Sequence, residues 1–393
     1  MSKTIVILGA GVGGLTTADS LRQLLPPEDR IILVDRSFDG VLGLSLLWVL
    51  RGWRRPDEVR FRASPTSLPG VELVTATVGR IDVATRAVHT SNGVLGYDAL
   101  VIALGATLDE AAVPGLAKAL QAGVAGQFYT LDGAMELHTK VDALDRGRIA
   151  VLVAAVPFKC PAAPFEAAFL MAAQLGDRFA SGAVRIDTFT PDPLPMPVAG
   201  PEVGQALVAM LEDRGIGFHG RKAVTAVDPA DRTLHFGDGT TESFDLLAVV
   251  PPHVPSAAAR SAGLGESGWI PVDPQALTTR VDGVWAIGDA TVLTLPNAKP
   301  LPKAAVFAQS QAGVVAHGVA RHLGYDVPER LFTGEGACYV ETGDHQAAKG
   351  AGNFLRAPAP SVTLYPPSVA FHEEKVAQES AWLDRWNTRT SPP

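Results

Sequence analysis

Residues 9–14 read Gly-Ala-Gly-Val-Gly-Gly, and their neighbours constrain the chain more than any other feature. The apolar run Thr4-Ile5-Val6-Ile7-Leu8 comes just before them and reads as a strand buried on both faces. Leu15, Ala18, Leu21 and Leu24 follow at helical spacing until Pro26 stops the pattern. A second buried strand, Ile31-Ile32-Leu33-Val34, ends at Asp35, 21 residues beyond Gly14. In such a strand–turn–helix–strand unit Gly9 permits the tight turn, and Gly11 lets a pyrophosphate approach the backbone. Gly14, next to Gly13, lets helix and strand pack closely. The helix N-terminus offers free N–H groups to phosphate. An acid at the second strand end is where a ribose-hydroxyl acceptor belongs. This spacing predicts a bound dinucleotide.

Composition narrows the class. The chain has 393 residues, enough for two or three domains. Its formal charge of −8 argues against nucleic acid as a partner, because that affinity rests on clustered cations. Hydrophobic residues make up 47% and charged residues 19%, which excludes whole-chain disorder. Cys160 and Cys338 are the only cysteines, so a disulfide-stapled secreted fold is excluded. The longest notable apolar run, 40–50, is too short to span a bilayer. The N-terminus enters a strand directly, without the pattern of a signal peptide, and reads as cytoplasmic.

Further along, 71–90 alternates like an antiparallel ribbon, and 97–106 is a buried strand closing on Gly105. A second unit starts near residue 111, with a strand at 148–156, a helix at 163–175 and a strand at 184–190. Trp285-Ala286-Ile287-Gly288-Asp289-Ala290 reads as a return to the first unit. A carboxylate at that strand end can accept from a ribityl chain and sit beside a pyrophosphate. The glycine loop, the 97–106 strand and Gly288-Asp289 together resemble the two-dinucleotide-domain flavoproteins, such as glutathione reductase and type II NADH dehydrogenases. The resemblance implies an α/β chain of two Rossmann-like domains. The FAD domain is discontinuous, at 1–110 and 256–330. A second domain occupies 111–255, and a C-terminal region 331–393.

The second unit departs from a nicotinamide site. After its first strand it reads Pro157-Phe158-Lys159-Cys160-Pro161-Ala162-Ala163-Pro164-Phe165-Glu166, without a glycine. Prolines lack the N–H donors, and Cβ atoms fill the space a pyrophosphate needs. The following strand ends in Thr190-Pro191 rather than an acid. Cys160 instead occupies a strand-to-helix turn, where the helix N-terminus favours thiolate and Lys159 adds positive charge. A lone cysteine is more often a small buried hydrophobe. The position of this one, at the carboxyl end of a strand facing the domain cleft, favours a reactive thiol. Cys338 lies 178 residues downstream in Gly-Glu-Gly-Ala-Cys-Tyr, and spacing alone does not bring the two together.

The block 156–170 is similar to the signature of the sulfide:quinone oxidoreductase and flavocytochrome c sulfide dehydrogenase flavoprotein family. Ser45–Leu47 with Trp48 and Gly52, Pro302-Lys303-Ala304 with Gln311, and Gly336-x-Cys338 fit the same family. The resemblance implies FAD held by Gly9, Gly11, Gly13, Gly14, Asp35, Arg36, Trp48, Val78, Gly105, Gly288, Asp289 and Lys303. It implies Cys160 and Cys338 as a redox pair that oxidises sulfide or another small sulfur species to sulfane sulfur. A quinone, or a c-type cytochrome, then takes the electrons. FAD is expected to be non-covalent, because the segment after Asp35 carries no cysteine. Glu166 is a candidate acid/base or a first-turn acid suited to the helix dipole. Lys303 is a candidate for stabilising negative charge on the flavin.

Phe354, Tyr365 and Phe371 are candidates for an apolar acceptor slot. Segment 371–386, with Trp382 and Trp386, reads as a membrane-surface, protein-docking or homodimer contact. His253, His345 and His372 read as isolated surface or satisfied histidines without metal spacing. Competing functions are a cytochrome-linked sulfide dehydrogenase, an NADH:quinone reductase and a non-catalytic flavin-binding redox sensor.

Overall fold

The computed structural model describes residues 2–387; Met1 and 388–393 lie outside the described residues. Strand β1 (Thr4–Leu8) runs into helix α1 (Val12–Leu24) through the glycine loop, and β2 (Arg30–Asp35) follows. Helix α2 (Ser45–Arg51) is buried from Ser45 to Leu50. Strands β3 (Glu72–Thr75) and β4 (Ala99–Ile102) flank β1 and β2, every pairing parallel. β3 belongs to this parallel sheet, not to an antiparallel ribbon running from 71; the ribbon itself begins at Val78. Leu73 and Val74 pack against the sheet's two apolar clusters, so burial outweighs the local alternation.

The second unit repeats the plan. β5 (Ala125–Gln127), β6 (Gly147–Val153), β7 (Val184–Phe189), β8 (Gly217–His219) and β9 (Leu246–Val250) form a parallel sheet in the order β5–β9–β6–β7–β8. Between β6 and β7 runs α3 (Ala163–Leu175), buried from Ala163 through Ala172. A helix that is apolar all round must be covered all round; α3 lies between its own sheet, α2 and the C-terminal strands.

β10 (Val284–Ala286) returns to the first sheet beside β4 and gives the order β10–β4–β1–β2–β3. Helix α4 (Ala305–His322) then packs along α1. Three antiparallel strands follow, β11 (Glu335–Gly343), β12 (Gln346–Asn353) and β13 (Ser361–Ser368). The last helix, α5 (Val369–Trp386), is capped by Ser368, whose hydroxyl accepts from the Phe371 N–H at 3.3 Å.

The face of α5 turned inward carries Lys375, Glu379, Trp382 and Trp386, at intervals of four, three and four residues. Trp382 and Trp386 join the core shared with α1 and α4, so these indoles are packed inside the protein. Losing either to alanine would cost about 3–5 kcal/mol. No described helix is long and apolar enough to cross a membrane.

Candidate functional site

Two turns define the site, one from each sheet. In the first, Gly9 has φ +99°, and a Cβ there would lie 2.4 Å from the Ala103 carbonyl oxygen. A Cβ on Gly14 would lie 1.8 Å from the Gly9 carbonyl oxygen. Both glycines are therefore required by packing. Gly11 differs, because a Cβ there would meet nothing within 4 Å. It opens on empty space at the N-terminus of α1, which has no side-chain cap. This geometry fits a pyrophosphate. Gly13 packs on Ile287 and so brings the loop against Gly288 and Asp289.

Around that seat, Asp35 accepts from the Ala10 N–H at 2.6 Å and from the Ser37 N–H at 3.0 Å. Arg36 beside it is exposed. Val78 opens the antiparallel ribbon, two residues past Ala76, whose N–H donates to the Asp35 carbonyl at 2.8 Å. Gly105 follows β4 with φ +61° and open space where a Cβ would be. The Gly288 N–H donates to the Gln311 side chain at 2.8 Å. Burial pushes the Asp289 carboxyl up, against the pull of Lys159 and Lys303.

The second turn holds Cys160 at φ +54°, a left-handed conformation that costs a non-glycine residue energy. The Cys160 N–H donates to the Lys303 carbonyl at 2.7 Å, and its own carbonyl accepts from the Ala163 N–H at 2.9 Å. The Tyr129 hydroxyl donates to the Lys159 carbonyl at 2.9 Å. The turn is thus fastened to the first unit through its backbone. The Lys303 ammonium donates to the carbonyls of Asp289 (2.8 Å) and Thr291 (2.9 Å) and lies 3.7 Å from the Trp269 ring centre. Burial lowers its pKa to about 8.

Cys160 and Cys338 are free thiols that line one cavity of about 500 Å³, within the usual range for small-molecule sites. Its walls include Phe158, Leu194, Met196, Leu301 and Phe354. Of the proposed acceptor aromatics only Phe354 lines it; Tyr365 is 44% exposed and packs against Phe371.

The thiol electrostatics correct the sequence expectation. Burial, the Glu166 carboxylate and Cys338 push the Cys160 thiol up to about 12, although Lys375 pulls it down. Burial and Glu166 push Cys338 up to about 11. A helix N-terminus supplies only partial charge, and desolvation of the thiolate outweighs it here. Lys159 lies 5.8 Å from the Tyr129 ring centre instead of acting on the thiol.

Glu166 is buried and pairs with Lys375 of α5. Lys375 also lies 3.8 Å from Glu341 of β11, a carboxylate with no exposed surface. Glu341 accepts from the Trp48 indole at 3.0 Å and from His372 Nδ1 at 3.0 Å. Trp48 is therefore fully buried in this cluster, apart from the glycine loop. Burial raises the Glu166 pKa to about 7, with Lys375 pulling it down and Glu341 pushing it up.

The histidines also differ from expectation. His372 and His345 are adjacent, with Nε2 and Nδ1 3.4 Å apart. His253 is buried; its Nδ1–H donates to the Pro251 carbonyl at 2.8 Å while Nε2 has no partner. Burial, Lys159 and Lys303 hold its pKa down at about 3. No metal-binding group of His, Cys, Asp or Glu occurs among the described residues.

Lys375, Glu341, His372 and His345 were not singled out as site residues from sequence. For His372 and Lys375 the signal was spacing, since with Glu379 they share a helix face with Trp382 and Trp386; Glu341 and His345 lie elsewhere and carry no such signal.

The comparisons agree with this architecture. The chain is 24% identical over 342 residues to a sulfide-quinone reductase of Aquifex aeolicus, covering 82% of this chain and 77% of that protein. It is 25% identical over 351 residues to a mitochondrial sulfide:quinone oxidoreductase of Dictyostelium discoideum, covering 86% and 75%. The crystal structure of the Aquifex aeolicus sulfide:quinone oxidoreductase has the same fold, with a TM-score of 0.84 and 20% identity over 99% of this chain and 93% of that one. The family model of the pyridine nucleotide-disulphide oxidoreductases matches residues 3–312, and with most of its length matched this chain belongs to that family of oxidoreductases.

Proposed function

We propose that the chain oxidises sulfide to sulfane sulfur through Cys160 and Cys338, with FAD on the first unit and a quinone as electron acceptor. One observation carries the reading: two thiols from distant parts of the chain line a single, mainly apolar cavity, beside a turn that replaces a nicotinamide cradle. The similarity to sulfide:quinone oxidoreductases supports it.

Gly9, Gly11, Gly14 and the α1 N-terminus would hold the pyrophosphate, Asp35 the ribose, and Gly288-Asp289 the remaining polar atoms. In the oxidised state the thiols form a disulfide. Hydrosulfide attacks one sulfur; the S–S bond breaks, a persulfide forms on that cysteine, and the other leaves as thiolate. Closing the thiolate onto the persulfide as a trisulfide releases two electrons and one proton. FAD, when bound, supplies the two-electron acceptor for this closure and can pass the electrons on. Glu166, whose carboxylate raises both thiols, would take the proton. Phe158, Met196 and Phe354 exclude water and offer an apolar wall to a quinone ring.

Anaerobic titration tests the reading. Sulfide should bleach the flavin within turnover time, NADH should not, and a short-chain quinone should restore the absorbance. Rapid bleaching by NADH alone overturns it.

A further inference from the structure

Glu166 lies too deep to exchange protons directly with water. The groups around it nevertheless continue outward in one direction. Lys375 bridges Glu166 and Glu341. Glu341 receives His372 Nδ1–H at 3.0 Å. In the neutral ring this leaves His372 Nε2 as an acceptor, and His345 Nδ1 lies 3.4 Å from it. His345 is exposed, and it is held by stacking on Trp53 at 4.3 Å between ring centres. We propose that Glu341, His372 and His345 form a proton route joining the Glu166–Lys375 pair, beside the two thiols, to solvent.

The proposal rests on the sulfide-to-quinone reading and adds the path of one proton. Oxidising hydrosulfide to zero-valent sulfur releases two electrons and one proton. Reducing a quinone to quinol consumes two electrons and two protons. One proton per turnover must therefore enter from water. The cluster's charge suits this task. Two carboxylates, Glu166 and Glu341, face one lysine, so the buried group carries one excess negative charge until a proton joins it. His372 accepts a proton from His345 at Nε2 and releases one from Nδ1 to Glu341. Lys375, held charged between the two carboxylates, hands its proton to Glu166 only as Glu341 supplies another across 3.8 Å. Glu166 otherwise faces Cys160 and Cys338. Arg54 over Trp48 is engaged by Glu379 at 2.8 Å. Arg51 covers Trp53 and feels Asp344.

The test uses holoenzyme carrying His372→Gln or the surface change His345→Gln. In anaerobic stopped flow, sulfide bleaching should stay within about twofold of the unmodified protein, while quinone-driven recovery should slow about tenfold or more. Its solvent deuterium effect should rise, and added imidazole should restore the rate. Independently of any substrate, infrared difference spectra should show hydrogen–deuterium exchange of the Glu166 carboxyl slowed in both variants; Glu166→Gln identifies that band. A sulfide-inert unmodified protein would sink the functional reading and leave the exchange measurement standing. Unslowed carboxyl exchange in both variants, or a slowed recovery that imidazole does not restore in His345→Gln, overturns the route.

Discussion

The two parallel sheets begin alike, each with a buried strand, a turn and a helix, and differ at the turn. In the first, Gly11 opens on empty space where phosphate can approach bare backbone. In the second, prolines flank a cysteine held at φ +54°, and its N–H is already given to the Lys303 carbonyl. The first turn ties down its Gly9 and Ala10 N–H groups, to Val34 and Asp35, and leaves Gly11 facing open space at the helix N-terminus. The second spends its donor on the neighbouring unit and presents a sulfur instead. On the proposed reading one scaffold serves two chemistries, and the choice lies in what the turn does with its N–H groups and Cβ space.

The largest expected break in this comparison is Cys160→Ser. It should lower sulfide-driven bleaching by at least about a thousandfold while flavin per protein stays constant, read by absorbance after gel filtration. Next is Gly11→Val, which should weaken flavin retention about a hundredfold or more and leave the apoprotein's melting temperature nearly unchanged. Gly14→Ala probes the packing role of the same loop. Its clash should destabilise the fold by about 1–3 kcal/mol, measured by urea unfolding.

A subtler effect concerns Glu166, whose folded pKa is raised from 4.5 to about 7. Below pH 4.5 folded and unfolded chains both hold the proton. Between 4.5 and 7 the unfolded chain loses it while the fold retains it, so this group lowers stability as pH rises across that window. Glu166→Gln should remove that decline from melting temperatures measured against pH. The smallest expected effect is that of Lys159→Ala. The alkylation rate of Cys160 against pH should keep its midpoint within about 0.3 unit, because desolvation, not this ammonium, sets the thiol.

The first turn was legible in the sequence because a phosphate cradle fixes neighbouring positions, and Gly9 through Gly14 carry it within one short stretch. The position of Cys160 at a strand-to-helix turn was legible for the same local reason. The state of its thiol was not, since desolvation depends on the walls supplied by distant segments such as 194–199 and 301–307. The Lys375–Glu166 pair spans 209 residues of chain, and no periodicity reports a contact at that range. The parallel pairing of β3 escaped for a related reason, because alternation in 71–90 describes one strand's faces and not its partner.

Cys338, Glu341 and Lys375 are all contributed by chain that follows both parallel sheets. A chain with both sheets formed but no C-terminal strands would possess a lone Cys160 thiol and leave part of α3 uncovered. On the proposed reading, the sulfur chemistry therefore waits until β11 and α5 have docked and both thiols share one cavity.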